Sequence, residues 1–527
     1  MKDAVHVNSI GYFPDQAKAA SVLGGYREGE VFEVIDGDGK GVFSGGLTAA
    51  PDHPDMEIPV FHADFSAFAA EGVYRIRMKN TGAVSACFSI GSGIYNKSLE
   101  LCMKGFYGQR CGTAVSFEHN GRLFEKKPCH MEDGYLDYYD PSKKGEIKDA
   151  CGGWHDAGDY GKYVVNAAFA TGHMLSAWEQ FGSKLESLTL PIPESGGPVP
   201  DFLAEIKYNM DWILKMQFED GLVSHKLTRT AFAPMVMPSN DREKRFFSPW
   251  GYDATASFAA VASQAYRVFG KYDGAYAGRC LDAAGRAMAA LRNVPFGARP
   301  DQSAFNTGRY DRYRHTDIEW ALFEYWESTG DEEALRNIEF GLHNENFHVD
   351  VDWDWGLSKN MGIYTFLRSK RKRNPSLVKE LEYDLIAAAD RIVDNSRTHT
   401  FGRGLKRYYW GCNGSVARTA MSLCTAGEIT GEPVYRETAL AQLSYLYGNN
   451  PYGRSFVTGD GHDPPLFPHH RPSAADNIED PWPGHLVGGP HPTELDWNDA
   501  TEDPRTNENA INWDGALVFA LSAFYEG

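Results

Sequence analysis

Near residue 92 the hydrophobic period of the chain changes, and that change constrains the fold more than any other feature. Before it, apolar and polar residues alternate in short runs broken by Gly, Pro and Asp, as in Val31-Phe32-Glu33-Val34-Ile35 and Gly72-Val73-Tyr74-Arg75-Ile76-Arg77-Met78. Strict alternation bounded by turn residues is the pattern of antiparallel strands with one face buried. The length and turn spacing suit a β-sandwich of the immunoglobulin type, without the paired cysteines of antibody domains. From about residue 95 the period becomes helical, and Phe202, Ile206, Met210 and Ile213 fall on one face of a segment opened by Pro198 to Asp201. About twelve such segments follow, among them 160–181, 253–269, 376–395, 414–430, 433–447 and 509–526. Pairs of helices in a ring would use that number. A chain of 527 residues exceeds what one core usually fills, so two unequal domains are expected, a sandwich at 1–92 and a helical domain at 93–527.

The segments between helices at 110–158, 219–252, 296–315 and 449–507 are long and rich in Gly, Pro, Asp and aromatics. Loops of that length inside a compact domain usually carry function. A formal net charge of −19, with no basic patch to offset it, repels nucleic-acid phosphates and anionic membranes. No stretch approaches the roughly 20 apolar residues of a spanning helix. The expected ligand is neutral or cationic, and neither nucleic acid nor membrane is an expected partner. Met1 to Val7 shows no basic stretch followed by an apolar core, so the expected location is cytoplasmic, or secreted if a signal was trimmed. Eight unevenly spaced cysteines are too few for a disulfide framework. Cys87, Cys280, Cys412 and Cys424 are expected as buried apolar residues, whereas Cys102, Cys111, Cys129 and Cys151 lie within one stretch.

Three places carry side chains suited to chemistry. In Gly152-Gly153-Trp154-His155-Asp156-Ala157-Gly158-Asp159-Tyr160, two carboxylates three residues apart precede a helix. They can act together near its positive end, or one can simply be an N-cap. Glu508, in Asn507-Glu508-Asn509-Ala510-Ile511-Asn512-Trp513, stands before an apolar final helix where partial burial would raise its pKa; the alternative is a first-turn glutamate favoured by the dipole. Glycoside hydrolysis needs such a second carboxyl group, to protonate the leaving oxygen while the other handles water or sugar. Cys111, Cys129, His130 and His155 combine thiolate and imidazole donors suited to tetrahedral zinc, with plain buried cysteines as the alternative.

The string Gly152 to Tyr160 resembles the catalytic-base signature of the family 9 glycoside hydrolases, a cellulase group with an (α/α)6 barrel. A second signature of that family is matched by Asn450-Pro451-Tyr452-Gly453-Arg454-Ser455-Phe456-Val457-Thr458-Gly459 and Pro468-His469-His470-Arg471. The third is matched by Trp497, Asp499 and the run containing Glu508, with Pro504 where an aromatic is usual; in the second, Asp463 stands in place of Asn or a basic residue. The strand-rich start resembles the immunoglobulin-like module of many members.

The resemblance implies inversion, with Asp159 as principal base, Asp156 helping to hold the water and Glu508 as acid. It makes His469 and Arg471 sugar contacts, joined by the aromatics Trp410 and Trp513, and it implies a structural zinc on Cys111, Cys129, His130 and His155. Calcium is common in the family; the acidic loop Ser239 to Glu243 offers hard oxygens without locating a site.

The expected enzyme hydrolyses β-1,4-glucosidic bonds in cellodextrins or soluble β-glucans. Rivals are an exo-acting β-glucosidase or exo-β-glucosaminidase, whose ammonium substrate would suit the acidic loop Glu494, Asp496, Asp499, Glu502 and Asp503, a zinc hydrolase, and a non-catalytic sugar-binding protein.

Overall fold

The alternating segments do pair into sheets. A computed structural model describes residues 4–52, 56–311, 316–344 and 348–527. Its first nine strands are β1 (Ala4–His6), β2 (Gly11–Tyr12), β3 (Ala19–Leu23), β4 (Val31–Ile35), β5 (Gly41–Gly46), β6 (Thr48–Ala49), β7 (Val60–Asp64), β8 (Gly72–Met78) and β9 (Phe88–Ile90). They form one sheet in the order β1-β3-β7-β6 and a second in the order β2-β9-β8-β4-β5. The two strands read from sequence, β4 and β8, run antiparallel with Phe32 opposite Met78 and Val34 opposite Ile76. Those four side chains are wholly buried, whereas Glu33 and Arg77 between them face outward and ion-pair at 2.7 Å. The sheets enclose their own apolar core, which includes Val22, Phe61 and Phe88.

The helical segments are α1 (Asn96–Gln109), α2 (Val164–Leu185), α3 (Asp201–Lys215), α4 (Tyr252–Phe269), α5 (Gly274–Leu291), α6 (Thr316–Thr329), α7 (Glu332–Asn344), α8 (Lys359–Arg368), α9 (Pro375–Thr398), α10 (Cys412–Thr430), α11 (Pro433–Leu446), the short α12 (Arg471–Ala475) and α13 (Pro504–Asn507), and α14 (Ile511–Ser522). The sequence placed the first of the segments it named, 160–181, four residues too early against α2, and drew the last, 509–526, wider than α14 at both ends. In both, the residues just before the helix are largely buried, as the helix is.

Helix α4 packs on α2 and α6, α6 on α8, and α14 on both α2 and α10. The Tyr364 and Ser422 hydroxyls meet at 2.7 Å between α8 and α10 and close an inner ring of six. Helices α1, α3, α5, α7, α9 and α11 lie outside it. This is an (α/α)6 barrel preceded by a β-sandwich. Inner helices must bury every face, and α14 is buried over its whole length. Short strands fill the loops: β10 (Val115–His119), β11 (Arg122–Lys126), β12 (Lys162–Tyr163), β13 (Lys226–Thr228) and β14 (Phe246–Phe247).

The sandwich is fastened to the barrel by polar bonds, including Ser9 N to Tyr447 O at 3.0 Å and His62 to the Thr400 carbonyl at 2.8 Å. Among the described residues, no helix is long and apolar enough to cross a membrane. Cys280 and Cys412 are buried as expected and Cys424 partly so, but Cys87 is exposed, because its neighbours Phe88 and Ala86 rather than Cys87 face the sandwich core.

Candidate active site

Neither Asp156 nor Asp159 caps a helix: α2 starts at Val164, its cap position is Tyr163, and no side chain caps it. Both aspartates sit instead in the loop ahead of β12. Asp156 Oδ1 accepts from Asn166 Nδ2 and Oδ2 from the Tyr310 hydroxyl, both at 2.7 Å. Burial, reinforced by the neighbouring Asp159 charge, pushes its carboxyl up to about 8. Among the described residues, Asp159 is held through one oxygen: Oδ2 accepts from Gly161 N at 2.8 Å and from the Tyr163 hydroxyl at 3.2 Å.

Glu508 is likewise not in the first turn of α14. It ends the short α13 in extended backbone, φ −77° and ψ 151°. Its strand-like neighbours tie it in: His469 N donates to Asn507 O at 2.9 Å, and Gly488 N to Glu508 O at 2.8 Å. An antiparallel bridge between Ala157 and Ala510 draws the two carboxylate loops together. Burial raises the Glu508 carboxyl well above the usual range, and the Asp159 and Asp156 charges add to it.

His469 and Arg471 stand beside this group. Arg471 donates from its backbone N and from Nη1 to the Gly158 carbonyl at 3.1 and 2.7 Å, and from Nε to Ala233 O at 2.8 Å. Gly158 is required by close approach, since a Cβ there would lie 1.8 Å from the His469 carbonyl oxygen. Gly158→Ala must push the His469–Arg471 strand away from Asp159. We expect about 1–3 kcal/mol of destabilisation and at least a tenfold loss of kcat/KM, read by melting and steady-state kinetics.

The two loops open on a cavity of about 1280 Å³ lined by Asp156, Asp159, Glu508, His469, Arg471, Trp410 and Trp513. Every sequence-predicted catalytic and sugar-contact residue therefore lines one space. Trp410 is 48% exposed, while Trp513 is nearly buried. Gly411, at φ +88°, and Gly414 leave room for the Trp513 ring, which would lie 2.4–2.5 Å from a Cβ at either position.

Sequence reasoning missed Tyr310, Asn166, Asp352 and Asp354. The acid–aromatic alternation Asp350-Val351-Asp352-Trp353-Asp354-Trp355 was the available signal for the last two. Asp352 accepts from Arg407 Nε at 2.8 Å and from the Tyr409 hydroxyl at 2.6 Å. None of Glu494, Asp496, Asp499, Glu502 and Asp503 lines the cavity; Asp499, for one, accepts from Arg454 and from the Leu466 and Phe467 N–H groups. Loop 131–150 packs on Phe218 and β14 rather than walling the cavity.

Behind the aspartates, the ligand atoms of Cys111, Cys129, His130 and His155 lie within 4.8 Å of one another. Cys111 Sγ is 3.8 Å from His130 Nδ1, and His155 Nε2 is 3.4 Å from the same nitrogen. A tetrahedral zinc with bonds of about 2.0–2.3 Å needs donor separations of about 3.3–3.8 Å, so the set fits. His130 turns its other nitrogen to Asp241 Oδ2 at 3.3 Å, as metal-bound imidazoles commonly do with carboxylates. Burial raises the Cys111 thiol, but its bond with Cys129 and the charges of Lys162 and His155 bring it well below the ordinary value. In the acidic loop 239–243, Asp241 and Glu243 both pair with Arg229.

Residues 95–521 match the family model "Glycosyl hydrolase family 9", and residues 1–83 match "Cellulase N-terminal ig-like domain". Endoglucanase D of Acetivibrio thermocellus is 42% identical over 99% of this chain and 83% of its own length. A cellodextrinase of Butyrivibrio fibrisolvens is 33% identical over 99% of this chain and all of its own. The crystal structure of a metagenome-derived glycoside hydrolase family 9 endoglucanase superposes with a TM-score of 0.92 at 30% identity, covering 100% and 99% of the two chains. With the family's model spanning the whole barrel, and with the clustered carboxylates on its cavity, this chain is a glycoside hydrolase belonging to glycosyl hydrolase family 9.

Proposed function

We propose that the enzyme hydrolyses β-1,4-glucosidic bonds in cellodextrins or soluble β-glucans with inversion, using Asp159 as base and Glu508 as acid. The observation that carries this is the split in carboxyl environments on one cavity. Glu508 and Asp156 are held protonated by burial, whereas Asp159 takes a backbone N–H and a phenol hydroxyl on a single oxygen.

In the forward reaction Asp159 draws the proton from a water that Asp156 helps to hold. That water attacks the anomeric carbon from the face opposite the leaving sugar. Glu508 gives its proton to the departing glycosidic oxygen, and bond making and breaking share an oxocarbenium-like transition state. Arg471 donates to sugar hydroxyls, His469, whose Nδ1–H is given to the Thr501 carbonyl, accepts from one through Nε2, and Trp410 and Trp513 offer ring faces to the apolar C–H surface of the pyranose. Trp410→Ala is expected to raise KM about tenfold while kcat changes less, since an exposed ring contributes mainly binding shared by ground and transition states.

Zinc on Cys111, Cys129, His130 and His155 would be a closed structural clamp with no position for a reactive water. His155 anchors the loop while its neighbour Asp156 faces the sugar. We place the domain boundary at 92/93, and read the reduced cysteines as fitting a cytoplasmic enzyme fed with short glucans.

Because burial raises the folded-state pKa of Glu508 well above the ordinary carboxyl range, its acid form persists to a higher pH than a free glutamic acid's. Activity is therefore present below that pKa and is lost as pH rises through it; a kcat profile with no alkaline limb would contradict the assignment. Product lengths from cellotetraose and from a glucosamine tetramer test the substrate. Cleavage of the glucan and not the amino sugar is expected, and the reverse preference would move the reading to an exo-glucosaminidase.

A further inference from the structure

Lys226 on β13 is wholly buried, yet among the described residues it makes no ion pair with a carboxylate. Burial, with the nearby Arg309 charge, pushes its amine down to about 7, and a buried amine kept beside a reaction centre invites a functional account. Its Nζ donates to the Gly308 carbonyl at 2.8 Å, and it lies near the Tyr163 and Phe305 ring faces, 5.8 and 5.0 Å from their centroids.

The Gly308 peptide links that lysine to both aspartates. Gly308 N donates to the Tyr163 hydroxyl at 3.2 Å, and that hydroxyl donates to Asp159 Oδ2 at 3.2 Å. Two residues on, Tyr310 adopts a left-handed backbone, φ +45°, and its hydroxyl reaches Asp156 Oδ2. A tyrosine holds such a conformation only where its surroundings enforce it. The enforcing contacts come from β13 and its approach: Lys226 holds the carbonyl of Gly308, and His225 and Gln302 hold that of Arg309 at 2.6 and 3.1 Å. One buried amine thus grips the segment that carries the Tyr310 hydroxyl to Asp156 and whose Gly308 N–H bonds the Tyr163 hydroxyl on Asp159.

We propose that Lys226 is a positioning residue for the base pair: through the Gly308 peptide it sets Tyr163 on Asp159 and Tyr310 on Asp156, and so fixes where the attacking water stands. This rests on the reading of Asp156 and Asp159 as the water-handling pair. Lys226 touches no substrate, so its loss acts on turnover and leaves binding nearly intact.

The test compares the full-length, metal-loaded parent with Lys226→Met, Lys226→Arg, Tyr163→Phe and the double variant Lys226→Met/Tyr163→Phe on cellotetraose. We expect kcat to fall about 10- to 100-fold in Lys226→Met with KM within threefold, recovery to within about fivefold of the parent in Lys226→Arg, and unchanged zinc content. Because both single changes break one linkage, the double variant is expected to be no slower than the slower single. An effect confined to KM, a kcat within threefold of the parent, or strictly multiplicative losses would overturn the proposal. If the lysine variants do not fold, Tyr163→Phe decides alone, and an undiminished kcat overturns it. A parent that cleaves no glucan removes the catalytic reading itself, an outcome separate from any of these.

Discussion

Glu508→Gln is expected to lower kcat on cellotetraose by about 10²–10⁴ while leaving melting and KM close to the parent's, because the amide keeps the shape and loses the transferable proton. The geometry makes the effect this large. Glu508 is held in extended backbone by Gly488 and the His469 strand, so the substituted side chain stays in place. The barrier then carries the full cost of expelling an unprotonated sugar oxygen. Substrates with a good leaving group, such as a dinitrophenyl cellobioside, need little acid help and are expected to lose far less. An equal loss on both substrates would show that Glu508 serves binding or structure and not proton delivery. The alkaline limb of the parent profile should vanish from the residual activity, since the group that titrates is gone.

The second large effect is on stability. Cys111→Ala is expected to lower Tm by on the order of 10 °C, and chelation of the parent to lower it in the same direction. Cys111 is anchored on both sides of the loop that precedes the aspartates: its N–H donates to Gly153 O at 2.7 Å, and its carbonyl accepts from the Tyr208 hydroxyl at 2.6 Å. Removing one thiolate from a buried four-ligand set leaves Cys129, His130 and His155 with donors that have no common partner. Activity should fall with the fold, since His155 and Asp156 are adjacent. Loss of activity on chelation with an unchanged melting curve would instead point to a metal that takes part in the reaction. An unchanged Tm in Cys111→Ala would remove the structural role.

Strand and helix periods made the two-part architecture legible. Alternation at Val31–Val34 and Tyr74–Met78 matches the register of β4 and β8, because one face of each strand is buried and the other is wet; at Ile35, beside a bulge, both faces are covered. Helix starts were less legible where the preceding loop is itself buried. From sequence, an N-cap at Asp156 or Asp159 stood as an alternative, because acidic residues before an apolar run often cap it; here that loop folds into the cavity and β12 intervenes. The candidate catalytic and metal-ligating residues were legible in local strings. Tyr310 and Lys226 were not, since their roles depend on a peptide at Gly308 that links segments 82 and 145 residues apart in sequence. The acidic loop 494–503 misled for the opposite reason: none of its carboxylates lines the cavity, and Asp499 is turned to the Leu466 and Phe467 N–H groups and to Arg454.

The central claim is that Asp159 and Glu508 act on opposite faces of the sugar through a single displacement. Proton NMR of cellotetraose cleavage in its first minutes, before mutarotation, tests it most directly. The account predicts α-anomer at the newly formed reducing end; β-anomer as the first product would mean a covalent intermediate and would contradict it.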